Sequence, residues 1–123
     1  MQVTVTLPFP VSVNGMYANS KSGRHKTQRY ADWELEAGLL LNRQRPEKVR
    51  GPVSLFYEVQ DRSDEPHRRD IGNTEKGVTD LLVKHGVIEG DHDRIVRKIT
   101  MVWSSKVTGV RVTISPAQGT DHV

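Results

Sequence analysis

The chain has 123 residues and no cysteine, which excludes disulfides, thiolate metal sites and a cysteine nucleophile. Its 18 lysines and arginines exceed its 15 aspartates and glutamates, and the formal net charge of +3 is compatible with, but not specific for, a nucleic-acid partner. No apolar run approaches the roughly 20 residues of a membrane span, and the N-terminus lacks the pattern of a signal peptide. We expect one soluble, cytoplasmic domain over residues 1–123, with no membrane partner.

The first half of the chain predicts two strands and a helix. Apolar residues alternate with threonines over residues 3–7, which is the period of a half-buried strand. A polar stretch over residues 14–28 predicts a long loop. Apolar residues then recur every three or four positions over residues 27–43, which predicts an amphipathic helix. Residues 53–59 alternate again and predict a second strand.

The second half predicts a helix and two more strands. The helix covers residues 73–85, and the strands cover residues 95–104 and 107–115. The short junction between these two strands suits a hairpin. Residues 116–123 are polar and predict a flexible tail. The order of elements predicts an α+β fold, with a mixed sheet of about four strands and two main helices packed on it.

One polar stripe of the second predicted helix combines an amide, an ammonium group and a carboxylate. At about 100° per residue, Asn73, Lys76 and Asp80 share a narrow helix face. Asp70 lies just before the helix, near the positive end of its dipole. This mixture of groups suits the ordering of charged oxygens and a cation.

A second acidic segment, residues 89–93, follows the same helix. If the strand that starts near Ile95 pairs beside the strand that ends near Val59, Asp70 and Asp91 approach each other. Converging carboxylates are the usual way in which proteins hold Mg²⁺ for phosphate chemistry. Arginines and lysines flank both acidic segments, which suits the binding of phosphates around a metal.

The same residues also fit a purely structural interpretation. Asp70 can cap the helix, and Asp80 can pair with Lys76 or Lys84 at helical spacing. The turn that contains Asp91 can simply be solvated. Composition and spacing favour this interpretation, because structural ion pairs outnumber metal sites.

Three segments of the chain favour the functional interpretation. Residues 7–14 contain a strand end, two prolines and an asparagine; an Asp-x-x-Asn-x-x-Lys-x-x-x-Asp-x-Leu pattern runs from Asp70 to Leu82; and an acidic segment lies within residues 86–95. In order and separation these segments resemble the RusA family of Holliday junction resolvases. The similarity extends over about residues 7–114.

This resemblance implies a homodimeric, Mg²⁺-dependent endonuclease that cuts four-way DNA junctions by paired phosphodiester hydrolysis. Mn²⁺ is the alternative ion, and no small-molecule cofactor is implied. Asp70 matches a metal-binding catalytic aspartate of the family, and Lys76 matches a lysine that is required for cleavage. Asp80 matches an acid on the same helix, Asn73 matches the asparagine at the helix start, and Asp91 belongs to the second acidic motif.

The chain departs from the family pattern at two places. Gly72 stands where some members carry a further aspartate. The acidic pair of the second motif aligns either with Gly90 and Asp91 or with Asp91 and His92, and Asp93 is either a substitute ligand or a solvated turn residue. The predicted catalytic residues are Asp70, Lys76 and Asp91, and the predicted metal ligands are Asp70, Asp80, Asp91 and Asp93.

Polar and basic residues around these motifs are predicted to contact DNA. We expect Tyr17 either to stack on an unpaired base or to pack under its loop. Trp33 and Trp103 occupy apolar positions, which favour the core or a dimer interface over a base-stacking platform. The predicted DNA contacts are Asn14, Tyr17, Arg24, Lys26, Arg69, Asn73, Arg94, Arg97 and Lys98.

Two alternative functions remain open from the sequence. Gly72 motivates a protein that binds junctions or branched DNA with weak or no nuclease activity. A metal-independent nucleic-acid-binding module is the third interpretation, and it gives Asp70 and Asp91 no special status. A small-molecule enzyme is disfavoured, because no glycine motif for nucleotide binding is present.

Overall fold

The structure, a computed structural model, describes residues 1–117 and has the α+β architecture that the sequence predicts. Two helices pack on a mixed four-stranded sheet, and a small hairpin lies apart from that sheet. In chain order the elements are β1 (Val3–Leu7), a 3₁₀ turn (Val13–Gly15), β2 (Tyr17–Ser20), β3 (Gly23–Lys26), α1 (Gln28–Gln44), β4 (Val53–Gln60), a second 3₁₀ turn (Ile71–Thr74), α2 (Lys76–Lys84), β5 (Val96–Ser104) and β6 (Val110–Pro116).

The strand order in the main sheet is β1-β6-β4-β5. β4 and β5 are parallel and are joined through α2, while β6 is antiparallel to both of its neighbours. β5 therefore pairs beside β4, which is the condition that the sequence set for Asp70 and Asp91 to approach each other. Because β1, β4 and β5 all run in one direction, the loops that follow them meet at the same end of the sheet.

The predicted hairpin between the last two strands is wrong. β5 and β6 are not neighbours, because β4 lies between them. The connecting segment crosses the end of β4, where Gln60 N donates to Gly109 O and Gly109 N donates to Gln60 Oε1, each at 2.8 Å. Gly109 has φ of 75°, and a Cβ there would lie 2.1 Å from Leu7 O, so this crossing requires glycine.

Three other element predictions change in detail. The loop predicted for residues 14–28 contains the hairpin of β2 and β3. The helix predicted from Asn73 begins at Lys76, and Asn73 lies in the preceding 3₁₀ turn. Pro116, assigned to the tail, is the last residue of β6, and Ala117 N donates to Pro52 O (2.9 Å). The rest of the predicted tail, residues 118–123, lies outside the described residues.

The core lies between the sheet and the two helices. Alternate residues of β1, β4 and β6 are buried, and α1 contributes Tyr30, Trp33, Ala37 and Leu41. The core position predicted for Trp33 is confirmed. Of the helices within residues 1–117, none combines the length and apolar character that crossing a membrane requires.

Candidate active site

A cleft of about 270 Å³ opens where the loops after β1 and β4 meet. It brings together four of the predicted site residues, Asn14, Arg69, Asp70 and Asn73. Its other lining residues are Phe9, Pro10, Ser12, Arg29, Arg68 and Thr74. Three arginines and one carboxylate thus share a small space with two amides, and we call this space the basic cleft.

Short turns place the amides and Asp70 in the basic cleft. Ser12 caps the first 3₁₀ turn by accepting from Asn14 N (3.3 Å). Asp70 precedes the second 3₁₀ turn, and its backbone carbonyl accepts from Asn73 N (3.0 Å). The Asp70 carboxylate makes no capping hydrogen bond, so the structural role considered for it in the sequence is not observed.

Phe9 holds one wall of the basic cleft in place. The guanidinium groups of Arg62 and Arg69 lie 3.8 Å and 5.4 Å from the centre of its ring, within the range of cation–π contacts. Arg69 Nη2 also donates to Glu65 Oε1 (2.9 Å). Within residues 1–117, Arg69 Nη1 is buried and has no hydrogen-bond partner. Buried donors are normally paired, so Nη1 is an unsatisfied donor that a small movement of the Arg69 side chain would present to an anion.

A second group of predicted site residues meets at the Lys76 ammonium. Lys76 Nζ lies 3.0 Å from Asp80 Oδ1 and 3.4 Å from Asp91 Oδ2. The hydrogen bond to Asp80 is the main cause that raises the pKa of Lys76; burial opposes it, and Asp91 adds a smaller increase. The structure therefore brings Asp91 to Lys76 from the loop that follows α2. The Lys76–Asp80 ion pair is the structural pairing that the sequence offered as the alternative role of Asp80, and it places these two residues on one helix face.

α2 is fixed against the sheet directly below this group. The hydroxyls of Tyr57 and Thr79 are hydrogen-bonded in the core, and Thr79 Oγ1 also donates to Glu75 Oε2. Burial raises the pKa of Tyr57, which keeps its hydroxyl protonated. These buried hydrogen bonds hold α2, which carries Lys76 and Asp80, in a fixed position and rotation relative to β4.

The model of the RusA endodeoxyribonuclease family matches residues 8–115 of the chain. The chain belongs to the RusA family. A comparison with curated proteins gave no significant match. The match covers the segment from the proline turn after β1 to the last residues of β6, so it includes both groups of site residues. The family indicates an endodeoxyribonuclease, and it agrees with the α+β fold described above.

The residues of this RusA-family chain give a limited set of metal ligands. Within residues 1–117, no three histidine, aspartate or glutamate side chains form a group that could hold one metal ion. Two carboxylates do converge, those of Asp80 and Asp91 on Lys76 Nζ. Mg²⁺ is often held by one or two carboxylates, with waters and substrate phosphates as the other ligands. This pair of carboxylates is compatible with Mg²⁺ binding of that kind, and in this structure both carboxylates are paired with Lys76.

The other residues considered in the second acidic motif take part in local turns. His92 Nδ1 accepts from Arg94 N (3.3 Å), and Asp93 O accepts from Arg97 Nη1 (2.6 Å). Asp91 is the member of this motif that reaches Lys76. Gly72 has open space around it, with no heavy atom within 4 Å of the position of a Cβ.

The remaining predicted DNA contacts lie outside the basic cleft. Lys26 forms an ion pair with Glu34 (2.7 Å), and the Arg24 guanidinium lies 4.6 Å from the centre of the Tyr17 ring. Tyr17 is half-buried and packs edge-to-face on Tyr30, with the ring centres 5.8 Å apart. This arrangement agrees with the packing alternative for Tyr17. Arg94 and Arg97 lie before and at the start of β5, and Lys98 pairs in register with Ser54 on the sheet face away from the helices.

The sequence did not single out Phe9 or Ser12 as site residues. Phe9 lies in the proline turn after β1, is partly buried and lines the basic cleft. An aromatic residue between two prolines at the start of a loop is the sequence signal that could have indicated it. The sequence indicated Arg68 as a basic residue that flanks the first acidic segment. Because it directly precedes Arg69 and Asp70 in the chain, it also lines the basic cleft.

Proposed function

We propose that this RusA-family chain is a Mg²⁺-dependent endonuclease that resolves four-way DNA junctions by paired phosphodiester hydrolysis as a homodimer. The observation that carries the proposal is the basic cleft, in which Asp70 lies with Asn14, Asn73 and three arginines.

The arginines of the basic cleft suit the DNA backbone. A guanidinium group binds phosphate oxygens through two parallel hydrogen bonds, which fixes the orientation of the backbone. Arg69 has one terminal nitrogen paired with Glu65 and the other without a partner within residues 1–117. We expect Arg69 and its neighbours Arg68 and Arg29 to position the phosphate beside Asp70.

The acids of the site suit a magnesium ion. We expect Asp80 and Asp91, whose carboxylates converge, to hold the ion with water and phosphate oxygens as further ligands. Within residues 1–117 Asp70 forms no group of three carboxylates with them, so Asp70 would have to approach them when DNA binds in order to share the ion, as the family resemblance implies. When bound, such an ion polarises the phosphate and makes a water more acidic. The carboxylates of Asp80 and Asp91 already lie close to one cation, the Lys76 ammonium, which shows that they can share a positive charge.

Lys76 suits the stabilisation of charge on the reacting phosphate. Its pKa is raised by Asp80 and Asp91, so its side chain stays protonated at neutral pH. A fixed ammonium group near the scissile phosphate stabilises the negative charge that develops during hydrolysis. This role requires Lys76 to exchange a carboxylate partner for the phosphate when DNA is bound.

The two-fold symmetry of a junction supports the homodimer. One protomer of 13.9 kDa offers one basic cleft, whereas paired cuts need two sites. A two-fold dimer presents two identical sites related by the same symmetry as the junction arms.

A Mg²⁺ titration on an end-labelled four-way junction tests this proposal, with a linear duplex of the same sequence as the control substrate. We expect paired, symmetric nicks that require Mg²⁺ or Mn²⁺, and no comparable cutting of the duplex. Equal cutting of both substrates, or cutting that persists in EDTA, would contradict the proposal.

A second candidate function is binding of branched DNA with weak or no cleavage. Gly72 and the lack of a three-carboxylate group within residues 1–117 favour this alternative. The same titration decides between the two functions, because a pure binding protein retards the junction in a gel and leaves its strands uncut at every Mg²⁺ or Mn²⁺ concentration.

A further inference from the structure

A second cavity, of about 410 Å³, adjoins the basic cleft at the same end of the sheet. It lies between the loop that follows β4 and Trp103, near the end of β5. Asp61 N donates to Ser104 O (2.9 Å), which holds the start of this loop against β5. The cavity shares Arg68, Arg69 and Asp70 with the basic cleft, so a ligand can occupy both spaces at once.

Trp103 forms an aromatic wall of this cavity. In the sheet it pairs with Val59, which is fully buried, yet the Trp103 side chain is 38% exposed. The Trp103 side chain lines the cavity. A tryptophan that remains accessible in a polar-lined cavity is typical of a surface that binds a flat ligand.

The rest of the lining offers both hydrogen-bond donors and acceptors. Arg62 and Arg68 are donors, and Asp61 and Glu65 are acceptors. Arg62 is held by the Phe9 ring and Glu65 by Arg69, so the walls are ordered. With Asp70, three carboxylates line the cavity, which disfavours a phosphate there, whereas the edge of a nucleobase carries donors and acceptors together.

We propose that this space, the Trp103 cavity, binds an unpaired nucleobase that stacks on Trp103 while the adjoining phosphate lies in the basic cleft. The inference rests on the proposed function, since it takes branched DNA as the substrate. An intact duplex offers no such base without the cost of unpairing, whereas a branch point supplies one at low cost. Base–aromatic stacking tolerates every base, so no sequence preference is expected. Because stacking on Trp103 requires an unpaired base, it favours branched over linear DNA.

Junction affinity of two variants tests the stacking directly. We compare Trp103→Ala with Trp103→Phe and use Phe56→Ala as the matched control, because Phe56 is 36% exposed on the opposite face of the sheet. Affinities are measured by fluorescence anisotropy in EDTA, for a four-way junction and a linear duplex.

Stacking of one base is worth about 1–3 kcal/mol, so Trp103→Ala is expected to weaken junction binding about 5- to 150-fold. We expect Trp103→Phe to keep most of the affinity, Phe56→Ala to match the wild type, and no variant to change duplex binding.

Photocrosslinking gives a second readout on the unmodified protein. 5-Iododeoxyuridine placed at the crossover reacts preferentially with an aromatic ring stacked on it, and mass spectrometry identifies the residue. We expect a crosslink to Trp103 with the junction and none with the duplex. If Trp103→Ala does not fold, as judged by circular dichroism, this crosslink decides the question alone.

The outcomes separate this inference from the proposed function. Unchanged junction affinity of Trp103→Ala, an equal loss on junction and duplex, or a crosslink elsewhere would overturn the inference while junction cleavage by the wild type stands. If the wild type neither binds nor cuts junctions, the proposed function fails, and the inference, which depends on it, fails with it.

Discussion

Lys76 is the residue on which the second half of the site depends. It joins Asp80, one helical turn away, to Asp91, which lies 15 residues along the chain. Its raised pKa means that these contacts stabilise the folded state at neutral pH, where the unfolded lysine is also protonated. That stabilisation is lost as the pH rises above the ordinary lysine value of 10.5 and through the raised pKa.

Asp80→Asn is expected to lower the pKa of Lys76 towards its ordinary value, because the hydrogen bond to the Asp80 carboxylate is the largest cause of the shift. NMR titration of the lysine side-chain ¹³Cε signals measures this change. Asp93→Asn is the matched control, since the Asp93 carboxylate is not among the groups that shift Lys76. An identical Lys76 titration in Asp80→Asn and the wild type would show that the pairing is absent in solution.

At the scale of residues, the sequence predicted the site better than its surroundings. Asp70, Asn73, Lys76 and Asp80 lie in one segment, so their spacing alone restricts where their side chains can go. The strand pairing on which the position of Asp91 depended is observed, and Asp91 contacts Lys76. Within residues 1–117, however, Asp70, Asp80 and Asp91 do not form one group that could hold a metal ion. The cation–π contacts of Phe9 were not predictable, because they join loops that are distant in sequence.

At the scale of elements, α2 carries the site and the buried Tyr57–Thr79 hydrogen bond holds it on β4. Thr79→Val keeps the side-chain shape but leaves the Tyr57 hydroxyl buried without this partner. Losing a buried partner costs about 1–3 kcal/mol, so we expect a fall of that size in the free energy of unfolding. Urea denaturation followed by circular dichroism measures it.

Two further variants make that measurement specific. Thr79→Ser retains the hydroxyl and is expected to cost less than Thr79→Val. In a Tyr57→Phe background the cost of Thr79→Val should shrink, because there is no longer a hydroxyl to leave unpaired. An equal cost of Thr79→Val in both backgrounds would show that the two side chains do not interact.

The element predictions failed where the neighbours of a strand had to be known. Alternation identified β5 and β6 as strands, but it contains no information on which strand lies beside each. Their short connection suggested a hairpin. In the structure this connection crosses the end of β4, and the crossing requires a glycine at position 109. The β2–β3 hairpin was missed because its residues, Tyr17–Ser20 and Gly23–Lys26, are almost entirely exposed and have no apolar alternation.

At the scale of the whole molecule, the sheet direction explains why the site forms where it does. β1, β4 and β5 end at one edge, so the loops that carry Asn14 and Asp70 converge although they lie more than 50 residues apart in the sequence. Ligand sites are common outside the carboxyl ends of parallel strands, for the same reason. The basic cleft and the Trp103 cavity share this end of the molecule.

The homodimer is the whole-molecule prediction. We expect light scattering coupled to size-exclusion chromatography to give about twice the chain mass of 13.9 kDa. The elution should be compared at two ionic strengths, because charged surfaces alone can retard a basic protein. A mass of 13.9 kDa at every protein concentration, with the junction still cut in pairs, would contradict the dimer in solution.

The most direct test of the whole account is Asp70→Asn, measured for cleavage and for binding on the same four-way junction. We expect cleavage to be abolished and junction affinity to be retained or raised, because the variant removes a negative charge from a cleft that binds phosphate. Asp64→Asn is the control, as Asp64 is an exposed acid of the same loop that does not line the basic cleft. Undiminished Mg²⁺-dependent nicking by Asp70→Asn would contradict the assignment of this cleft as the active site.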